Sequence, residues 1–149
     1  MDIFVLSKRM AMKWKCQEPH IWISINDPND STRLPVNEWT KEILVLHFDD
    51  AESDKNWKET GFKDFYNRDC ILFNESMALQ VFDFFNKHKN IENLLIHCHG
   101  GISRSAGVGS FLSQVIGKSQ YQTPPHFPNP LVRRMLRKVW KEKTGILIP

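Results

Sequence analysis

The stretch Leu94-Leu95-Ile96-His97-Cys98-His99-Gly100-Gly101-Ile102-Ser103-Arg104-Ser105-Ala106-Gly107 constrains the fold more than any other part of the chain. Its apolar start has the length and flanks of a buried strand. Two adjacent glycines then permit a tight turn, and the spacing and small residues from Ser105 to Ile116 suit a buried helix. Strand, turn and helix therefore meet at Cys98.

Three further short, partly β-branched runs, Ile3 to Leu6, Ile21 to Ile25 and Ile43 to Phe48, read as strands of the same sheet. Between the last of these and Leu94 lies Asn74 to Lys89. There Ala78, Val81, Phe82 and Phe85 recur at i, i+3, i+4 and i+7, with Met77 and Phe84 widening the stripe of a helix capped by Asn74 or Ser76. Lys8 to Lys15 reads as a short first helix. Leu131 to Lys143 reads as a last one, with Leu131, Val132, Met135, Leu136, Val139 and Trp140 on its apolar side. Strands alternating with helices predict an α/β fold, with a mostly parallel central sheet of about four to five strands flanked by helices. The 149 residues, 41% hydrophobic and 25% charged, suffice for one domain, 1–149. Asp27 to Pro35 and Ala51 to Asp69 show no clear pattern. The second is long for a connection, so it is either functional or holds a further helix. Thr123 to Pro130, with four prolines, reads as a stiff connection into the last helix.

No apolar run approaches the about 20 residues needed to span a bilayer. The N-terminus lacks the basic start and small-residue cleavage site of a signal peptide. Cys16, Cys70 and Cys98 cannot all pair with one another and show no C-x-x-C spacing. A reducing, cytoplasmic setting is expected. The formal charge of +3 owes much to Arg133, Arg134, Arg137, Lys138, Lys141 and Lys143, which suits either an anionic substrate or a solvated helix face.

The turn carries the chemistry. Cys98 follows a strand and precedes a helix N-terminus, where unpaired N–H groups and the helix dipole favour a nucleophilic thiolate. Gly100 and Gly101 let the backbone curl so that the N–H groups of the stretch His99, Gly100, Gly101, Ile102, Ser103 and Arg104 form a nest for a phosphate dianion. Bulk at either glycine is expected to block it. Arg104, six positions after Cys98, can bind two phosphate oxygens with its planar fork and stabilise transition-state charge. Ser105 can donate its hydroxyl to the sulfur and improve it as a leaving group. The competing reading of Cys98 is an inert buried thiol. A metal site made of His97, Cys98 and His99 is disfavoured, because alternate strand residues face opposite ways. His97 is expected to support the loop through hydrogen bonds.

The pattern His97-Cys98-x5-Arg104-Ser105 resembles the signature of the protein tyrosine phosphatase superfamily. His-Cys-His-Gly-Gly-Ile-Ser-Arg-Ser is similar to its dual-specificity branch, above all the small bacterial and phage-borne members. Phe48-Asp49-Asp50 and Pro128-Asn129-Pro130 resemble the same group. The resemblance implies a sheet flanked by helices, a phosphocysteine intermediate, no metal or other cofactor, and an aspartate that protonates the leaving oxygen. Asp49 and Asp50 follow a strand, whereas Asp54, Asp64 and Asp69 lie farther along, with Asp64 at the linear separation found in larger relatives. The match of His47-Phe48-Asp49-Asp50 to the small phosphatases favours Asp50.

The loop holds no lysine or second arginine between Cys98 and Arg104, which points to phosphoprotein or another simple monoester over a polyphosphorylated inositol. A shallow pocket accepting phosphotyrosine together with phosphoserine or phosphothreonine follows from the resemblance alone. Two other readings are an RNA 5′-phosphatase using the basic last helix as a track, and a catalytically idle phosphate-binding module. A sulfurtransferase fits the arginine spacing and the following serine less well. Neither a membrane nor a nucleic-acid partner is indicated by any motif.

Overall fold

The apolar runs become a five-stranded sheet in the computed structural model, which describes residues 1–52, 70–122 and 126–149. The strands are β1 (Asp2–Ser7), β2 (His20–Asn26), β3 (Thr40–His47), β4 (Asn93–Cys98) and β5 (Tyr121–Gln122). Their spatial order is β3-β2-β4-β1-β5, and every pairing is parallel. Helices α1 (Lys8–Ala11), α2 (Glu75–Lys87), α3 (Arg104–Ile116) and α4 (Pro130–Thr144) complete the described elements. None of them is long and apolar enough to cross a membrane.

Parallel strands must be joined by crossovers, which are almost always right-handed. The β3-to-β4 and β4-to-β5 connections move the chain the same way across the sheet, so α2 and α3 must share a face. The β1-to-β2 and β2-to-β3 connections run the other way and must cover the opposite face. Two cores result. Ile21, Ile23, Ile25, Leu94, Ile96 and Cys98 join the residues of α2, α3 and α4 on one side, while Leu6, Trp22 and Leu95 pack with Ala11 and Leu34 on the other. β2 and β4 are consequently buried at every position, as central parallel strands are. Trp140 of α4 closes the first core, with its ring centroid 4.7 Å from that of Phe82, 5.1 Å from Phe111 and 6.0 Å from Phe85.

The α/β expectation holds, and the differences lie at element ends and at one sheet edge. Asn74, not Ser76, caps α2, accepting from Met77 N. The first helix ends after one turn instead of reaching Lys15, because Met10 and Met12 are exposed and gain no burial from helix. Phe48 lies just past β3. β5 is absent from the sequence pattern: two residues, Tyr121 and Gln122, pair with Phe4 and Val5. The expectation for Ala51 to Asp69 falls almost wholly outside the described residues, as do Asp54, Asp64 and Asp69 as candidate acids.

Candidate active site

β4 is the middle strand, so its carboxyl end opens between those of β1 and β2, a usual place for a binding crevice in such sheets. Cys98 is its last residue, opposite Ser7 of β1. The thiol is buried, with Sγ 3.0 Å from Ser105 Oγ and accepting from the Gly101 N–H at 3.2 Å.

The loop after Cys98 is shaped by what its carbonyls do. The His99 carbonyl accepts from Lys8 N, that of Gly101 from Gln122 Nε2, that of Ile102 from Phe127 N, and that of Ser103 from Asn129 N and Gly107 N. The loop's carbonyls are thus tied to surrounding segments. Because a trans peptide points its N–H opposite to its C=O, the N–H groups of Gly100, Ile102, Ser103 and Arg104 turn the other way, which is the geometry of an anion nest. α3 adds to it: Ser103 occupies the N-cap without capping.

The two glycines differ in role. Gly101 has φ +69°, and a Cβ there would lie 2.6 Å from Ser7 N and 2.7 Å from the Leu6 carbonyl carbon. Gly100 lacks a positive φ, and its Cβ would meet only the Ile102 side chain at 3.6 Å. A single added carbon is therefore barred by the β1 backbone at Gly101, whereas at Gly100 it has room.

Arg104 is 4% exposed. Its Nη1 donates to Asp27 Oδ1 and to the Phe48 carbonyl, each at 2.8 Å, so the guanidinium is braced from the ends of β2 and β3. Its Nε–H is buried and has no partner among the described residues, leaving a fixed donor suited to an oxyanion. Asp27 is a site residue that the sequence pattern does not single out. It sits in the unpatterned Asp27 to Pro35 stretch, although a carboxylate directly after a strand adjoining the nucleophile strand is a usable signal. In the same stretch Asp30 accepts from Lys8 Nζ at 2.6 Å, and this bond holds the Asp30 carboxyl below its ordinary range.

Asp50 is brought to the loop. Its Oδ1 accepts from Ser103 Oγ at 2.7 Å and from Asn129 Nδ2 at 2.9 Å. Asp49 is engaged elsewhere, since its Oδ2 accepts from Ile71 N at 2.8 Å and its own N–H donates to the Ile71 carbonyl at 2.7 Å.

His97 is fully buried on the sheet face opposite α3. Nδ1 lies 3.4 Å from the Cys98 carbonyl, which can only accept, so Nδ1 carries the proton and Nε2 accepts from Ser24 Oγ at 2.6 Å. Ser24 Oγ accepts in turn from Asn26 Nδ2 at 3.1 Å. Burial pushes the imidazole down from 6.5 to about 4, so it is neutral near pH 7. His97 therefore ties the end of β4 to Ser24 of β2. The His99 side chain is exposed. Among the described residues no three His, Cys, Asp or Glu side chains converge as metal ligands.

A mostly apolar cavity of about 410 Å³, lined by Met1, Phe85, Val115, Trp140 and Ile148 with Lys89 and Thr144 among its polar groups, lies at the opposite end of the sheet. The polar convergence is at Cys98.

No protein-family model matches the chain, and no curated protein does. Among solved structures it is similar to one described as "Crystal structure of Tk-PTP in the active form". The identity is 16%, the match covers 100% of this chain and 84% of that one, and the TM-score is 0.42. A likeness of that size decides neither fold nor chemistry, which rest on this chain's own geometry.

Proposed function

We propose that this chain is a cysteine-dependent phosphatase, a small member of the dual-specificity branch of the protein tyrosine phosphatase superfamily. On this reading it hydrolyses phosphate monoesters, phosphotyrosine and phosphoserine or phosphothreonine of proteins among them. The observation that carries the reading is the convergence on one buried sulfur: Ser105 Oγ at 3.0 Å and Gly101 N at 3.2 Å. The braced Arg104 closes the same loop, and Asp50, just past β3, is bound to it through Ser103.

The phosphate dianion sits in the nest of inward N–H groups, with two oxygens on Arg104. The Cys98 thiolate attacks phosphorus as the bond to the leaving oxygen breaks, and Asp50 gives that oxygen its proton. The product is phosphocysteine, an alcohol or phenol, and an Asp50 carboxylate. Water then attacks phosphorus, Asp50 takes its proton, and the S–P bond breaks. Sulfur leaves as a thiolate that accepts a hydrogen bond from Ser105. Arg104 and the N–H groups meet the charge of both transition states without reorganising. Among the described residues, Lys8, next to the loop, is paired with Asp30, which favours substrates with a single phosphate.

Hydrolysis of p-nitrophenyl phosphate by the wild-type chain, without added metal and with vanadate as inhibitor, tests the reading. Wild type is expected to turn over and Cys98→Ser to be inactive while still binding phosphoester. Turnover that survives Cys98→Ser refutes the mechanism. A wild type that binds but never turns over identifies a binding module instead. Release of phosphate from RNA 5′-triphosphate ends in preference to monoesters identifies the RNA phosphatase.

A further inference from the structure

Ser103 and Asn129 each break a local economy, and both do so at Asp50. Ser103 stands at the N-cap of α3, where a serine hydroxyl ordinarily accepts from the first turn, yet it makes no such bond and donates to Asp50 Oδ1 at 2.7 Å. Asn129 caps α4 through Oδ1, which accepts from Leu131 N at 3.0 Å and Val132 N at 3.2 Å. Aspartate or serine would cap as well as asparagine, so the helix does not require an amide. What only the amide supplies is Nδ2, which donates to Asp50 Oδ1 at 2.9 Å and to the Ala51 carbonyl at 3.1 Å. Asn129 is 1% exposed, and its backbone N–H meets the Ser103 carbonyl at 3.0 Å. One residue therefore joins the phosphate loop, the acid segment and the last helix.

We infer that Ser103 and Asn129 are positioning residues that hold Asp50 by Oδ1 so that it delivers its proton from Oδ2. This rests on the reading of Asp50 as the general acid. Both donors converge on a single carboxyl oxygen. In the neutral acid the oxygen that accepts two hydrogen bonds is the carbonyl one, which leaves the hydroxyl proton on Oδ2. Two donors from two elements also fix the plane of a carboxyl group that is otherwise exposed, so it need not be ordered when substrate arrives.

The test is the ratio of kcat on p-nitrophenyl phosphate to kcat on phenyl phosphate, whose leaving oxygen depends far more on protonation. Full-length wild type, Ser103→Ala, Asn129→Ser, Asn129→Asp and Asp50→Asn are compared, with urea midpoints alongside. General acids contribute about 10²–10⁴-fold, and misplacing one should forfeit at least about tenfold of that effect. The expected result is a ratio at least about tenfold wider than wild type in Ser103→Ala and in both Asn129 variants. Both Asn129 variants retain the cap but remove the buried donor to the Ala51 carbonyl, and Asn129→Asp also sets a carboxylate beside Asp50, so their midpoints should fall, and the ratio is read where each variant is folded. If Asp50→Asn widens the ratio but the other variants do not, the positioning role is overturned and the acid stands. If Asp50→Asn leaves the ratio unchanged, the acid assignment falls and the inference falls with it. Should an Asn129 variant fail to fold, Ser103→Ala decides alone, since its backbone and the α4 cap are untouched.

Discussion

Replacing Gly101 by alanine tests how the loop is held. Alanine in the left-handed region costs about 1–2 kcal/mol. The added Cβ would also lie 2.6 Å from Ser7 N, so about 0.8 Å of separation is missing before ordinary contact near 3.4 Å is reached. The obstacle is backbone, not a side-chain tip, and Ser7 is paired to Cys98 in the sheet. The loop must give way, adding about 1–3 kcal/mol of overpacking strain. A stability loss of roughly 2–5 kcal/mol is expected, read as a lower urea midpoint. Movement of that size takes the Gly101 N–H off Sγ and shifts the nest, and misplacement near 1 Å costs on the order of 10²-fold in rate. Steady-state kcat on p-nitrophenyl phosphate reads this at a temperature where the variant is folded. Gly100→Ala is the comparison: with its nearest neighbour at 3.6 Å it should lose less than about 0.5 kcal/mol of stability. A Gly101→Ala chain with wild-type midpoint and kcat, or equal destabilisation by the two alanines, refutes the account.

His97 makes stability depend on pH. Its folded value, about 4, lies below the 6.5 of the unfolded chain, so its contribution is complete above pH 6.5 and fades as pH falls toward 4. The gap is worth roughly 3 kcal/mol at most. Urea unfolding at pH 7 and pH 4.5 should show a smaller acid loss in His97→Asn than in wild type, and identical losses would contradict a buried neutral imidazole. Asp27→Ala removes one of the two acceptors of Arg104 Nη1 and leaves the Phe48 carbonyl. Because Asp27 is half exposed the pair is worth about 1 kcal/mol, so kcat/KM should fall about fivefold and Asp27→Asn should restore most of it. Unchanged kcat/KM in Asp27→Ala would show that the loop alone orients the arginine.

Where the sequence is readable, periodicity and spacing are concentrated in few residues. The Ile21 to Ile25 and Leu94 to His97 runs are apolar because both faces of the strand are covered, and the six-residue step from Cys98 to Arg104 lies within one turn of chain. Features that depend on distant partners leave little trace. Tyr121–Gln122 is too short and polar to read as a strand, and it exists because the edge of β1 is there to receive it. Asp27 and Asn129 stand 77 and 79 residues from the groups they hold, Arg104 and Asp50. Gly100 and Gly101 are the same letter, separated only by the β1 backbone that presses on one of them. Asp49 and Asp50 are distinguished in the sequence by resemblance alone; the bond to Ile71 N gives the physical difference.

The contact between Gly101 and the Leu6–Ser7 backbone also bears on the order of assembly. β1 pairs with β4 across about ninety residues of chain, so docking it carries a large loop-closure cost and belongs to the slow, non-local part of folding. The loop takes its curvature from that docked strand. A refolding chain should therefore recover helix content before its N-terminal strand has entered the sheet, and the loop should take its final curvature only after that strand has docked.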